Sequence, residues 1–288
     1  MQTFFRDEMV VSASDLTIPS HEKTLRLISA LNQRDDVQIV DAFEPLPWQC
    51  WNATHDEDFV RLVSNVDAAT FDAASIPASG LMATSISYSA GSMLAAASSA
   101  LEDGCAFSPT AGFHHAHWSR PGPFCALNAL PLTSRLLLDR SSVGSVLILD
   151  CDFHRGDGTD DILTRLADDR IHHESLGFRF NRPEQASSYM AEIERISKNI
   201  ESRDFDFVIY QAGMDVLVGD PAGGGILTLA EASERDLAVF AACYKASTPI
   251  VWNLAGGYHL IRADGYDAVL QGHLNTYHCA SRTFRRSD

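Results

Sequence analysis

The stretch that most constrains the fold runs from Val146 to Thr159 and reads VLILDCDFHRGDGT. Its four leading apolar residues are typical of a strand buried on both faces. Asp150, Asp152 and His154 follow at alternate positions, which places their side chains on the same side of the strand end. The Gly-Asp-Gly that comes next allows a sharp turn at the edge where parallel α/β sheets bind ligands. The stretch therefore predicts either half of a metal site or an Asp-rich loop with a capping aspartate.

Two further buried strands are predicted at Phe205–Tyr210 and Pro249–Leu254, and both end in Gly-rich loops. Helical patterns alternate with the strands, which indicates an α/β fold with a mostly parallel central sheet and helices on both faces. No linker or repeat interrupts the 288 residues, of which 45% are hydrophobic. We predict a single catalytic domain over residues 1–288.

Other elements follow from spacing alone. The pattern predicts a short first strand at Met9–Val11, a helix at Ser20–Asn32 and a last helix at Ile261–Tyr277. Ser87–Leu101 is an Ala-rich helix whose small side chains predict tight packing against a neighbour. Cys105–His117 is predicted to be a polar loop.

The formal net charge of −16 argues against a nucleic-acid partner, because phosphate binding needs a basic surface. The same charge is compatible with a cationic substrate, or with solubility alone. The six cysteines are dispersed without a C-x-x-C pair, as expected for reduced core thiols in a cytoplasmic protein. No apolar run reaches 18 residues and the N-terminus has no basic leader, so we expect an unexported protein without a membrane partner.

Polar residues follow each of the three buried strands. The first strand supplies Asp152 and His154, the second Asp215 and the third Tyr258. If the strands are parallel, these residues converge at one edge of the sheet. Asp, His and Asp form a mixed oxygen and nitrogen ligand set suited to a catalytic zinc with open positions.

The adjacent pair His114-His115 is suited to acid–base chemistry, because histidine titrates near neutral pH and neighbours can divide the roles. Asp150 and Asp157 are carboxylates able to orient these imidazoles. A hydroxyl such as that of Tyr258 can stabilise an oxyanion. Together the residues predict metal-assisted hydrolysis.

The chain resembles the zinc-dependent histone deacetylase superfamily, which includes acetylpolyamine amidohydrolases and acetoin-utilisation-type deacetylases, and we expect a bacterial member. Four segments in the family's order carry the resemblance: GFHHAHWSRPGPFCALNA (Gly112–Ala129), LILDCDFHRGDGT (Leu147–Thr159), YQAGMDVLVGDPAGG (Tyr210–Gly224) and NLAGGYH (Asn253–His259). The resemblance implies an arginase-like α/β fold and hydrolysis of an N-acyl group from an amine.

The resemblance also implies roles for individual residues. The zinc ligands would be Asp152, His154 and Asp215, with one zinc per chain. The catalytic residues would be His114 and His115 with their carboxylates Asp150 and Asp157, and Tyr258, which polarises the acyl carbonyl. Residues against the substrate would be Phe124, Phe178, Gly256 and Gly257. A potassium ion would lie near Asp150, Asp152, His154, Ser175 and Leu176.

Two other functions stay open at this stage. A binuclear manganese ureohydrolase would need further ligands for a second metal, and the sequence offers ligands for one. A catalytically dead protein that binds acyl-amines would be expected to lack part of the site, whereas all its residues are present. The expected partner is an N-acylated amine: an acyl-lysine peptide, an acetylpolyamine or a small metabolite. The sequence does not specify the oligomeric state, and zinc over iron or cobalt is a family expectation.

Several polar residues are interpreted without a role in the chemistry. His172 and His173 are predicted to be packing or surface residues. For His117, a role at the pocket rim and a role in loop packing are equally expected. Cys151 alternates away from the metal side and is predicted to lie in the core.

Overall fold

The computed structural model describes residues 1–11, 20–140, 142–258 and 267–285. Its centre is a seven-stranded sheet with the order β2-β1-β3-β7-β6-β4-β5, and every pair of neighbouring strands is parallel. The strands are β1 (Gln2–Phe4), β2 (Gln38–Val40), β3 (Cys105–Ser108), β4 (Val146–Asp150), β5 (Ile171–Ser175), β6 (Phe207–Ala212) and β7 (Ile250–Leu254). The predicted α/β class with a parallel sheet is confirmed.

Helices connect the strands and cover the sheet. They are α1 (Ser20–Leu31), α2 (Glu57–Ser64), α3 (Ala68–Ala73), α4 (Gly80–Asp103), α5 (Ala129–Leu138), α6 (Asp157–Leu166), α7 (Ala186–Glu201), α8 (Leu229–Ala246) and α9 (Ala268–Thr283). Short 3-10 helices occupy Asp7–Met9, Trp48–Ala53 and Pro183–Gln185. In the ranges that the structure describes, no helix is both long and apolar enough to cross a membrane.

The strand β4 is buried on both faces, as its apolar run predicts. Val146 and Ile148 join the core cluster that contains α4 and α5. Leu147 and Leu149 join the opposite cluster, which contains α7, α8 and α9. Cys151 continues the second series and is buried in that opposite cluster. The period of two therefore directs Asp150 and Asp152 towards the other face of the sheet.

Three predicted elements differ from the observed ones. The strand predicted at Met9–Val11 is wrong, because the first strand is β1 and Met9 ends a 3-10 helix. The loop predicted from Cys105 is also wrong, since its first four residues form the fully buried strand β3. That strand is too short for a clear apolar run, and its position between β1 and β7 supplies its partners. The last helix begins at Ala268, and residues 261–266 of the predicted one lie outside the described residues.

Tight packing of α4 is confirmed at Gly91. A Cβ on Gly91 would collide with the carbonyl oxygen of Glu44. The neighbouring turn of the helix holds the same segment, since the Leu46 amide donates to the Ser87 carbonyl over 2.9 Å. The absence of a side chain at Gly91 therefore lets the backbone after β2 lie directly on the helix.

Candidate active site

Three side chains meet beyond the carboxyl ends of β4 and β6. Asp152, His154 and Asp215 each offer one ligand atom, and these atoms all lie within 4.8 Å of one another. Nδ1 of His154 is 3.1 Å from Asp152 Oδ1 and 2.9 Å from Asp215 Oδ2. The parallel pairing of β4 with β6 brings the two loops together. The convergence expected from the sequence is thus observed.

Backbone amides orient the two carboxylates. The amide of Phe153 donates to Asp215 Oδ1 over 2.9 Å, and the amide of Gly256 donates to Asp152 Oδ2 over 2.7 Å. These bonds engage one oxygen of each carboxylate and leave the other facing His154. Such supporting contacts fix the direction of metal ligands.

The charges of this cluster favour a bound cation. Asp152 is 3% exposed and Asp215 is fully buried. Burial, together with the neighbouring Asp152 carboxylate, raises the pKa of Asp215. Two desolvated carboxylates side by side are costly as anions unless positive charge lies between them. The oxygen–nitrogen–oxygen donor set fits a divalent metal ion with open coordination positions.

The adjacent histidines lie beside the cluster, and each is held by its own carboxylate. His114 Nδ1 is 2.8 Å from Asp150 Oδ2, and His115 Nδ1 is 2.7 Å from Asp157 Oδ1. The two imidazole centroids are 4.1 Å apart. Each Nδ1 is occupied by a carboxylate, so each Nε2 is the nitrogen left for a substrate or a metal-side group.

The pKa values of the two histidines move in opposite directions. Burial opposes the charge of His114, but the carboxylates of Asp150 and Asp152 raise its pKa to about 9. Burial and the adjacent His114 lower the pKa of His115, although Asp157 partly offsets this. Near neutral pH, one imidazole is therefore charged and the other is able to accept a proton.

Tyr258 also lies next to His154, with the two ring centroids 6.3 Å apart. Its amide donates to Asp220 Oδ2 over 2.7 Å, which fixes the backbone at the end of the β7 loop. Burial and the carboxylates of Asp152 and Asp215 raise the pKa of the Tyr258 phenol. The hydroxyl therefore stays protonated and can donate a hydrogen bond.

A cavity of about 490 Å³ is lined by His114, His115, Asp152, His154 and Tyr258. Phe124 and Phe178 line it and are 43% and 61% exposed, so they stand at its mouth. Their φ angles are +58° and +61°, a left-handed backbone that large side chains seldom adopt. Gly256 lines the cavity, whereas Gly257 lies outside the lining residues and packs against Val269.

The residues of the predicted potassium site are neighbours in space. The Leu176 amide donates to the Asp150 carbonyl over 3.0 Å, and Ser175 pairs with Asp150 in the strand register. The Asp150 carboxylate also accepts from the Asp152 amide and from Gln211 Nε2, each over 3.1 Å. The backbone carbonyls of Asp152 and His154 belong to the loop between β4 and α6. Potassium binding there stays a prediction.

Two groups at the site were not predicted from the sequence. His173 is buried, with Nδ1 2.7 Å from Asp160 Oδ1 and Nε2 3.8 Å from Asp150 Oδ2. Burial opposes its charge, but Asp150 and Asp160 raise its pKa. Lys23 on α1 is also buried, donates to the Ala255 carbonyl and lines the cavity. The strand period places His173 and Ser175 on one face and could have indicated it, while nothing in the α1 pattern marks Lys23.

His117 lies behind the site, next to Asp157. Its Nε2 lies 3.4 Å from Asp157 Oδ2, the carboxylate that also holds His115. Of the two interpretations of the sequence, pocket rim or loop packing, the structure favours loop packing, because His117 does not line the cavity.

Comparisons with known proteins are consistent with this geometry. Residues 18–179 match the family model described as the histone deacetylase domain. An uncharacterised protein of Picosynechococcus sp. is 27% identical over 254 residues, 81% of this chain and 84% of that protein. Histone deacetylase 2 of Arabidopsis thaliana is 30% identical over 189 residues, 58% of this chain and 48% of that enzyme. The chain thus spans about half the length of the Arabidopsis relative.

The fold has solved counterparts. The crystal structure of acetylpolyamine aminohydrolase from Burkholderia pseudomallei superimposes with a TM-score of 0.73 at 17% identity, and covers 97% of this chain and 98% of that one. At this identity the likeness establishes the fold, which is of the arginase type that the resemblance implies. The family match includes His114, His115 and the β4 loop, while Asp215 and Tyr258 lie beyond its last residue.

Proposed function

Since the chain belongs to the histone deacetylase domain family, we propose that it is a zinc-dependent amidohydrolase that removes an acyl group from an amine. The observation that carries the proposal is that Asp152 and His154 of the metal cluster line the same cavity as His114 and His115, each of which is held by its own carboxylate. Acyl transfer to water needs an electrophile, a base and an oxyanion donor, and each has a candidate residue here.

Asp152, His154 and Asp215 would hold the zinc, one per chain. When bound, the ion supplies Lewis acidity for the acyl carbonyl and for the attacking water. His115 is the better base, because its pKa is lowered and its Nδ1 is already engaged by Asp157. Its Nε2 would take the proton from water and return it to the leaving amine.

His114 and Tyr258 would stabilise charge rather than transfer the proton. The buried Asp150 carboxylate, 2.8 Å from His114 Nδ1, would favour a charged His114 imidazole beside the developing oxyanion. The Tyr258 hydroxyl would donate to the same oxygen. Phe124 and Phe178 would flank the chain that carries the acyl group and limit the entry of water.

The substrate class follows from the family and from the site. The relatives are named as a histone deacetylase and an acetylpolyamine aminohydrolase, so an N-acylated amine is the proposed substrate. Acyl-lysine peptides, acetylpolyamines and small N-acyl metabolites are its three sources. The proposed catalytic unit is the whole chain, residues 1–288.

The test is release of free amine by the purified, zinc-loaded protein. The panel would contain acetyl-lysine peptides, acetylated polyamines and amides with longer acyl chains. We expect hydrolysis of at least one class, with loss on chelation, recovery on addition of zinc, and loss in Tyr258→Phe. The proposal would be contradicted if the protein with one zinc bound hydrolysed no compound of the panel, or if turnover continued after chelation.

A further inference from the structure

Asp157 lies between two imidazoles. His115 Nδ1 is 2.7 Å from Oδ1, and His117 Nε2 is 3.4 Å from Oδ2. Each oxygen of the carboxylate thus faces a different ring. Only the first of these rings faces the proposed reaction centre.

Two further charged groups lie beside the His117 ring. Nη2 of Arg120 is 3.3 Å from His117 Nδ1, and a guanidinium can only donate. Nδ1 accepts from Arg120 in the tautomer whose proton is on Nε2, the nitrogen that faces Asp157. The Asp161 carboxylate lies 3.5 Å from Nδ1 and completes the charged groups around the ring.

The backbone keeps this arrangement in place. The His117 amide donates to the Arg120 carbonyl over 2.9 Å and closes a tight turn. The Thr159 amide donates to the His114 carbonyl over 3.0 Å, which joins the start of α6 to the histidine segment. A Cβ on Gly158 would collide with the carbonyl of Ala116. The helix that carries Asp157 and the loop that carries both rings are thus in direct contact.

The Asp157 side chain is 53% exposed, in contrast to the fully buried Asp150 that holds His114. A carboxylate at that exposure gains hydration by rotating towards solvent and would then lose its bond to His115. His117 is only 11% exposed and faces the second oxygen. It therefore limits the rotation that would release His115.

We propose that His117 is a positioning residue that holds the Asp157 carboxylate in the orientation required by His115. The inference rests on the proposed function, in which His115 transfers the proton. His117 itself contacts neither the substrate cavity nor the metal cluster.

The test compares His117→Phe with His117→Gln in the full-length protein. Gln has an NH2 group that can donate to Asp157 and an oxygen that can accept from Arg120, whereas Phe keeps the bulk of the ring without polar atoms. On the panel compound with the highest turnover, we expect kcat of the Phe variant to fall about fivefold with KM unchanged, and the Gln variant to recover most of it. His278→Phe, on the exposed side of α9, is the control for an added aromatic.

A double-mutant cycle separates positioning from general packing. In an Asp157→Ala background, His117→Phe should cost no further activity, because the carboxylate that it positions is gone. Equal losses in the Phe and Gln variants, or a full loss by Phe in the Asp157→Ala background, would overturn the proposal.

A second readout does not need turnover. Nitrogen-15 NMR of the histidine rings in the zinc-loaded protein reports the titration of His115. We expect its midpoint to fall by about half a pH unit in His117→Phe and to stay unchanged in His117→Gln, because a released Asp157 supports the His115 cation less. An unchanged midpoint in the Phe variant overturns the role of His117 even if no substrate is found, whereas a shift without turnover counts against the proposed function alone.

Discussion

The backbone amide of Gly256 donates to Oδ2 of Asp152 over 2.7 Å and so joins the loop after β7 to the end of β4. The approach is close enough that a Cβ on Gly256 would collide with Oδ2 of Asp215 and come within 2.8 Å of Asp152 Oδ2. The glycine therefore leaves room for two of the proposed zinc ligands. Glycine is required at this position of the NLAGGYH segment because a side chain would collide with these carboxylates.

Gly256→Ala should displace both carboxylates and weaken zinc binding by at least about tenfold. Titration of the metal-free protein with zinc and a competing chelator would measure the affinity. Gly80→Ala is the matched control, because a Cβ at that position meets nothing within 4 Å. Equal zinc affinity in the two variants would show that Gly256 is not required at the site.

Asp215→Asn should change stability in opposite directions with and without metal. In chelated protein above about pH 8, where Asp215 is ionised, the variant removes one of two adjacent buried anions, so we expect it to be about 1–2 kcal/mol more stable than the unmodified chain. With zinc, the chain that keeps Asp215 should be more stable, because binding to the folded state adds to its stability. Urea unfolding under both conditions measures the two differences.

An equal destabilisation by Asp215→Asn in both conditions would contradict this interpretation of the cluster. It would mean that repulsion between the two buried carboxylates does not decide the stability of the metal-free cluster.

Tyr258→Phe should lower kcat by about 10²–10³ with a small change in KM, since the hydroxyl is proposed to act on the oxyanion. Steady-state kinetics on the active panel compound checks this. Tyr244→Phe, 57% exposed on α8, removes a hydroxyl far from the cavity and should leave both constants unchanged. A Tyr258→Phe variant with full kcat would remove Tyr258 from the mechanism.

His55 should make the fold sensitive to acid. The ring is buried, and its Nε2 accepts from the Asn128 amide over 3.1 Å, so burial lowers its pKa from 6.5 to about 3. As the pH falls, His55 in the unfolded chain binds a proton at a higher pH than His55 in the folded chain. The contribution of His55 to the free energy of unfolding is fully present above about pH 6.5. It decreases as the pH drops towards 3, and about 2 kcal/mol of it is lost at pH 5.

His55→Gln supplies the control, because its amide oxygen can accept from Asn128 and does not titrate. Urea unfolding between pH 7 and pH 5 should show a smaller loss of stability in this variant. Parallel pH profiles for the two proteins would assign the acid sensitivity to other groups.

The local pattern of the chain determined much of this protein. Runs such as Val146–Leu149 predict buried strands because their apolar residues need cover on both faces. The side-chain period of two then places Asp150 and Asp152 on one face and Cys151 on the other, as observed. The order of the strand-end residues was enough to predict one metal cluster, even though Asp152 and Asp215 are far apart in sequence.

Only the tertiary structure decided which other side chains complete the site. β3 is a central strand because β1 and β7 supply its partners, and its four residues carry too little signal alone. His173 and His117 meet Asp150 and Asp157 through contacts between separate elements. Hydrophobic periodicity reports which face of an element is buried, but it does not specify the polar partner across the contact. That choice depends on strand order and on how closely the helices and loops approach, which the whole chain determines together.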